Sequence, residues 1–157
     1  MKRASWKPYV LFILLTEGVG ILSGLLTRQG IEAYSMVEKS ALTPPAIVFP
    51  IVWTILYALM GVGAARVWLT NPSDARTKGL AFFTFQLIFN FFWSIFFFNR
   101  QAYGFSLLWL IVMWVLILLM TVEYAKVDKL AAWLQIPYLV WVAFAGYLNY
   151  AVWQLNM

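Results

Sequence analysis

The 157-residue sequence contains no cysteine and no histidine. Without cysteine, neither a disulfide bond nor a thiolate nucleophile can form. Without histidine, the chain lacks the commonest general base, the commonest metal ligand and the usual proximal ligand of haem iron. A Ser-His-Asp triad and a histidine-bearing zinc site are therefore excluded, and we predict no catalytic residue and no metal ligand.

Charged residues are also scarce, at 11% of the chain, whereas 64% of the residues are hydrophobic. Soluble domains usually contain about a quarter charged residues, and a domain of this size cannot bury so much apolar surface in water. The composition therefore predicts an integral membrane protein. The net charge of +5 comes from Lys and Arg scattered between apolar runs, a pattern typical of headgroup anchors, so we predict no nucleic-acid partner.

Five apolar runs have about the 20 residues that a transmembrane helix requires. They cover residues 8–26, 46–69, 78–98, 103–124 and 130–155, and short polar connections at 71–77, 99–102 and 126–129 join the last four. We predict an all-α integral membrane fold, with residues 1–157 forming a single bundle of five transmembrane helices. No clean cleavage site follows the basic N-terminus, so the first span is expected to be retained.

The basic residues are unequally distributed between the two sides of this bundle. Three lie on the side of the long first loop, namely Arg28, Lys39 and Arg100. Eight lie on the N-terminal side, namely Lys2, Arg3, Lys7, Arg66, Arg76, Lys78, Lys126 and Lys129. The positive-inside rule then predicts a cytoplasmic N-terminus. A compact chain without a presequence is typical of a multi-pass protein of a prokaryotic cell membrane.

The first loop, residues 27–45, is the only long connection, and it ends in Thr43, Pro44 and Pro45. Long loops in compact proteins are usually functional or disordered. Two consecutive prolines fix the backbone and remove two amide donors. The loop is therefore interpreted either as a stiff lid over the bundle or as a simple kink at the entry to the second span.

Three spans each carry aromatic and polar side chains on one helical face. These stripes are Phe49, Trp53 and Tyr57 in the second span, Gln86, Asn90, Trp93 and Phe97 in the third, and Tyr138, Trp141, Ala145 and Asn149 in the fifth. Buried amides in a membrane helix need hydrogen-bond partners. The stripes either hold the helices together or line a cavity for a flat, largely apolar ligand with polar edges. Their shared character in three spans favours the cavity.

Glu17 lies near the middle of the first span. An intramembrane carboxylate is costly and is a functional candidate by default. Glu17 is either a proton-linked binding residue or a protonated acid bonded to a neighbouring helix. A proton-coupled small multidrug exporter, which uses one glutamate in its first helix, is therefore the alternative function, although such exporters usually have four spans. Gly20 and Gly24 in the same span indicate close helix packing, either within the bundle or in a dimer.

The ordered motifs along the chain resemble those of the translocator protein family, the tryptophan-rich sensory proteins. The first group comprises residues 34–39, Pro44-Pro45, Phe49-Pro50, Trp53-Thr54, Leu56-Tyr57 and Met60-Gly61. The second comprises Gln86-Leu87, Asn90, Trp93-Ser94 and Phe96-Phe97. The third comprises Pro137-Tyr138-Leu139, Trp141, Ala143, Ala145 and Leu148-Asn149. Because the matches follow one another in order over most of the chain, chance is a poor explanation for them.

This resemblance implies a membrane receptor or carrier for porphyrins (protoporphyrin or haem) and benzodiazepine-type ligands. Such a protein would act in porphyrin handling and stress response, often as a homodimer and without a required cofactor. The ligand would contact Phe49, Trp53, Tyr57, Asn90, Trp93, Phe97, Tyr138, Trp141, Ala145 and Asn149, with Pro44 and Pro45 in a lid. Light-dependent porphyrin breakdown has been proposed for bacterial relatives. Because the chain lacks histidine and cysteine, we favour binding over enzymatic turnover.

The sequence departs from the family pattern mainly in the first loop. Ala33, Ser40 and Leu42 stand where the family has Trp, Pro and Trp. A lid with fewer aromatic residues is expected to close less tightly. No basic residue follows Tyr150, as the proposed cholesterol motif would require, so that motif gives no reason to expect sterol binding.

Overall fold

The computed structural model describes residues 5–157, so Lys2 and Arg3 of the basic count lie outside the described residues. The helices are α1 (Lys7–Leu26), α2 (Arg28–Tyr34), α3 (Val48–Trp68), α4 (Asp74–Ser94), α5 (Tyr103–Val127), α6 (Lys129–Trp133) and α7 (Ile136–Leu155). Five helical segments are long and apolar enough to cross a membrane. Together with the absence of strands among residues 5–157, they confirm the predicted all-α membrane fold.

The helix boundaries follow from local side-chain chemistry. Ser73 caps α4 by accepting a hydrogen bond from the Arg76 amide at 3.1 Å. Asp128 caps α6 in the same way, through the Ala131 amide at 3.1 Å. These side chains satisfy amides that have no partner within the first helical turn. Two of the three short connections that the sequence predicts, 71–77 and 126–129, therefore end in a side-chain cap, whereas Ala102 before α5 provides none.

The fifth span differs from the single helix predicted for residues 130–155. It begins as α6, breaks after Trp133 and continues as α7 from Ile136. Pro137 lies in the first turn of α7, where its missing amide donor costs nothing, whereas the same ring would clash inside a continuous helix. The first loop also contains a helix, the seven-residue α2, which the sequence pattern does not indicate.

The end of α4 widens into a π turn at Ile95–Asn99. Its hydrogen bonding skips one residue more than in an α-helix, and the Arg100 amide donates to the Ile95 carbonyl at 3.0 Å. Such turns occur frequently at functional sites. The π turn contacts α2, and it therefore lies below the first loop.

Glycine residues bring α1 and α3 close together. A Cβ atom on Gly61 would lie 2.6 Å from the Cα of Ile13, and one on Gly20 would lie 2.5 Å from the Tyr57 ring. Gly24, by contrast, has nothing within 4 Å of its Cβ position. Gly20 therefore packs within the bundle. Of the two interpretations of the glycine pair, packing within the bundle and packing in a dimer, the structure supports the first for this residue.

Replacing Gly61 by alanine is expected to destabilise the protein by about 1 kcal/mol, because the added methyl group must push the α1 backbone away. Thermal unfolding in detergent measures this as a lower midpoint temperature. Gly24→Ala is the matched control, since its methyl group enters open space. Equal midpoints for the two variants would contradict the close α1–α3 packing.

The α3 and α7 backbones make no extended close approach within the described residues, whereas α1 packs along α3 and α5 packs along α7. The α6 segment closes one end of this gap by packing against α3. Aromatic side chains of α3 and α7 meet across the remainder. The two helices are therefore bridged by side chains, and their backbones do not pack directly against each other.

Candidate functional site

Five aromatic residues lie between α3 and α7, and we call them the α3–α7 aromatic cluster: Phe49, Trp53, Tyr57, Tyr138 and Trp141. Ring centroids are 5.8 Å apart for Phe49 and Trp141, 5.5 Å for Trp53 and Tyr57, and 6.2 Å for Trp53 and Tyr138. The two tyrosines are buried, whereas the other three rings are half-buried. The structure thus brings together five of the ten predicted ligand-binding residues.

A chain of hydrogen bonds supports this cluster from the α4 side. The Tyr57 hydroxyl donates to Asn90 Oδ1, Asn90 Nδ2 donates to the Tyr138 hydroxyl, and that hydroxyl donates to Gln86 Oε1, each at 2.7 Å. All four residues are buried. Both polar ends of the Asn90 amide are therefore occupied, and this side chain ties α3, α4 and α7 together.

Trp141 presents an unused hydrogen-bond donor. Its indole Nε1 is buried and has no partner among the described residues. A buried donor without a partner costs about 1–3 kcal/mol, and buried indole N–H groups usually find one. Because the Trp141 ring meets Phe49 within the aromatic cluster, this donor lies beside a group of half-buried aromatic faces. The sequence contains no signal that distinguishes Trp141 in this respect.

Three other predicted residues form a second group nearer the first loop. Trp93 donates from Nε1 to Asn149 Oδ1 at 3.1 Å, and its ring stacks on Phe97 at 5.1 Å. Asn149 Nδ2 donates to the Tyr103 carbonyl at 2.8 Å. Ala145 is half-buried against the core, one turn from Asn149 and one turn from Trp141. It is therefore the small residue of α7 that lies between the two groups.

The first loop reaches this second group through Tyr34. The Tyr34 ring lies 5.4 Å from each of the Phe97 and Phe98 rings. Burial, with a smaller contribution from the nearby Tyr103, raises the pKa of Tyr34 to about 12, so its hydroxyl stays neutral at physiological pH. Tyr34 thus anchors the α2 end of the loop on the π turn.

The connection between α2 and α3, residues 35–47, we call the lid segment. Thr43 closes a turn onto the Ser40 carbonyl at 3.1 Å, and the predicted lid residues Pro44 and Pro45 lead from this turn into α3. The segment also contacts Tyr147 and Asn156, near the end of α7. Sequence reasoning missed these two residues, because a tyrosine and an asparagine near the end of a span resemble ordinary interfacial residues.

Glu17 lies outside the aromatic cluster. It is half-buried, and its side chain makes no hydrogen bond to any described residue. Its neighbour Thr16 donates from Oγ1 to the Tyr57 carbonyl at 2.7 Å, so this turn of α1 adjoins the back of Tyr57. No group of three or more acidic residues that could hold a metal ion occurs among residues 5–157.

Comparison with known families matches residues 12–154 to the model of the TspO/MBR family. The chain belongs to this family. The match includes all or most of each of the five spans and confirms the resemblance that the ordered motifs indicate. The TspO/MBR chain is therefore a multi-pass membrane protein.

Curated relatives come from bacteria, archaea and animals. Tryptophan-rich protein TspO of Chlorobaculum tepidum is 39% identical over 127 residues, covering 78% of each chain. Tryptophan-rich protein TspO of Archaeoglobus fulgidus is 37% identical over 146 residues, covering 92% of this chain and 94% of the relative. Translocator protein of Bos taurus is 34% identical over 154 residues, covering 96% and 91%. This TspO/MBR chain thus matches two of these relatives over more than nine-tenths of their length and the third over 78%.

Proposed function

We propose that this TspO/MBR protein is a membrane receptor or carrier that binds tetrapyrroles in the α3–α7 aromatic cluster. The observation that carries the proposal is the unpartnered Trp141 Nε1 beside half-buried aromatic rings. A porphyrin combines a large flat apolar ring with carboxylate side chains. The flat ring can stack on the aromatic faces, and a carboxylate can accept a hydrogen bond from the indole N–H of Trp141.

In the proposed site, different residues stack on the ligand, support the wall of the site and bond to polar groups. The half-buried rings of Trp53 and Trp141 offer faces on which a macrocycle stacks. Asn90 is held by two tyrosine hydroxyls, so it stiffens the wall of the site and leaves the polar contact to Trp141. Benzodiazepine-type ligands, which also combine flat rings with a carbonyl acceptor, fit the same arrangement.

The proposal includes a homodimer in the cell membrane with a cytoplasmic N-terminus. Six basic residues of the described chain support this orientation, because they lie at the α1 N-terminal end of the bundle. They are Lys7, Arg66, Arg76, Lys78, Lys126 and Lys129. The opposite end has only Arg28, Lys39 and Arg100 among residues 5–157.

Trp141→Phe is expected to weaken protoporphyrin binding about tenfold, which corresponds to one hydrogen bond of about 1.4 kcal/mol. The measurement is a titration of purified protein in detergent, followed by the porphyrin Soret absorbance so that the loss of one tryptophan does not alter the signal. Trp133→Phe is the matched control, because Trp133 is 69% exposed at the other end of the bundle. Non-saturating binding that ignores both substitutions would refute the proposed site.

Glu17→Gln separates this function from the exporter alternative. Because Glu17 lies outside the aromatic cluster and makes no hydrogen bond to the described residues, the variant is expected to retain wild-type porphyrin affinity. A proton-coupled exporter would lose all drug transport with this change. Transport of a cationic drug by wild-type proteoliposomes, abolished in Glu17→Gln, would favour the exporter.

A further inference from the structure

The lid segment is fastened to the C-terminal end of α7 by one side-chain amide. Asn156 Oδ1 accepts a hydrogen bond from the Glu38 amide at 3.3 Å, and Asn156 Nδ2 donates to the Glu38 carbonyl at 2.9 Å. The same Nδ2 donates to the Val152 carbonyl at 2.8 Å. One asparagine thus satisfies both backbone groups of Glu38, as a neighbouring β-strand would.

A second contact joins the lid segment to α7 further along the helix. The hydroxyls of Ser40 and Tyr147 lie 2.9 Å apart. Ser40 Oγ also accepts from the Leu42 amide at 3.1 Å, which places this hydroxyl inside the turn that precedes the two prolines. Tyr147 and Asn156 are nine residues apart, about 13 Å along a helix. The lid segment therefore lies across the last turns of α7.

Two sets of contacts hold the lid segment in different ways, and we call those toward Tyr34 its α2 end and those from Glu38 and Ser40 toward α7 its α7 end. At the α2 end, Tyr34 is wedged between two phenylalanine rings, and Lys39 Nζ lies 4.5 Å from the centre of its ring. At the α7 end, the contacts are hydrogen bonds between partly or fully exposed groups. Exposed hydrogen bonds open more readily than packed aromatic rings. The α7 end is therefore the end that releases.

The lid segment is connected to both of the helices that frame the α3–α7 aromatic cluster. It runs directly into α3, whose first turns carry Phe49 and Trp53. Tyr147 follows Trp141 by less than two turns of α7. Release of the hydrogen bonds to α7 would therefore leave the lid segment joined to α3 alone, so that it no longer connects the two helices that frame the cluster.

We propose that Asn156 and Tyr147 are positioning residues that latch the lid segment to α7 and limit how fast a ligand enters and leaves the α3–α7 aromatic cluster. The latch itself is a property of the ligand-free protein. Its effect on ligand exchange rests on the proposed tetrapyrrole site. Asn156 and Tyr147 act through the lid segment and need no contact with the ligand.

Hydrogen–deuterium exchange of the ligand-free full chain tests the latch independently of any ligand. In Asn156→Ala and, separately, in Tyr147→Phe, amides of residues 36–43 are expected to exchange at least tenfold faster than in wild type. Exchange within α3 and α5 and the thermal midpoint should stay unchanged. Asn156→Ala could also fray the end of α7, whereas Tyr147→Phe leaves that end intact. Faster exchange in both variants would therefore not be explained by fraying of the helix. Asn71→Ala, an exposed asparagine at the opposite end, is the control.

Stopped-flow measurement of protoporphyrin binding tests the effect on ligand exchange. Both latch variants are expected to raise the association and dissociation rates together, about tenfold, with Kd changed less than threefold. A substitution that removed a ligand contact would raise the dissociation rate alone. Asn156→Asp, which keeps the acceptor for the Glu38 amide but loses the donor, should give intermediate rates.

The outcomes separate the two proposals. Unchanged exchange in residues 36–43 would overturn the latch, whatever the porphyrin data show. Faster exchange with unchanged association and dissociation rates would also overturn the inference, because the lid segment would then not limit access. Faster exchange in the latch variants, together with no porphyrin binding by the wild-type protein, would refute the tetrapyrrole site and its control by the lid segment, and would leave only the contact between the lid segment and α7 standing.

Discussion

Replacing Asn90 by leucine is expected to lower the free energy of unfolding by about 2–3 kcal/mol. The change removes the acceptor of the Tyr57 hydroxyl and the donor to the Tyr138 hydroxyl, and it leaves the Tyr57 donor buried without a partner. Membrane interiors supply no water to replace these bonds. Titration of the detergent-solubilised protein with SDS, followed by circular dichroism, measures the loss.

Two further variants show whether the loss arises from the hydrogen-bond chain. Asn71→Leu makes the same exchange of side chains at an exposed loop position and should leave the unfolding free energy unchanged. Tyr57→Phe removes one hydroxyl and should cost about 1 kcal/mol. In the double variant the two losses should not add, because both remove the same bond. Full additivity would mean that Tyr57 and Asn90 do not interact.

Ala145→Phe is expected to reduce protoporphyrin affinity at least a hundredfold, about 2.7 kcal/mol. Ala145 is half-buried on α7, one turn from Trp141. A phenyl group there would project beside Trp141, where the proposed site holds the macrocycle, so that ring and ligand would compete for the same volume. Equilibrium titration by Soret absorbance gives the dissociation constant.

Ala143→Phe is the matched control for this steric effect. Ala143 is exposed on the same helix, two positions earlier, so its added ring would face lipid. The affinity of this variant should equal that of wild type. If Ala145→Phe bound porphyrin normally while remaining folded, the ligand would not lie beside this part of α7, and the proposed site in the aromatic cluster would be refuted.

Most of the architecture follows from local properties of the sequence. Runs of about 20 apolar residues have few alternatives to spanning helices, and the five observed helices agree with them. Helical spacing also places Tyr57, Asn90 and Tyr138 on inward faces, and these three residues do meet. What spacing cannot provide is the rotation and relative height of neighbouring helices, which depend on packing between them.

The candidate site was therefore only partly predictable. Asn90 and Trp93 belong to one predicted stripe, yet Asn90 bonds to the tyrosines of the aromatic cluster and Trp93 pairs with Asn149 nearer the lid segment. The unused donor of Trp141 and the latch at Asn156 both depend on how distant parts of the chain are arranged around them. Neither residue type nor spacing encodes such arrangements, because they arise only when the helices are assembled.

The π turn at Ile95–Asn99 makes this end of α4 sensitive to chain length. A π turn is equivalent to one residue inserted into an α-helix. It sets two consecutive rings, Phe97 and Phe98, against the same Tyr34 side chain. Loss of a single residue here would return the helix to regular winding and turn one ring away from Tyr34. The α2 end of the lid segment therefore depends on how many residues this turn contains as well as on which ones they are.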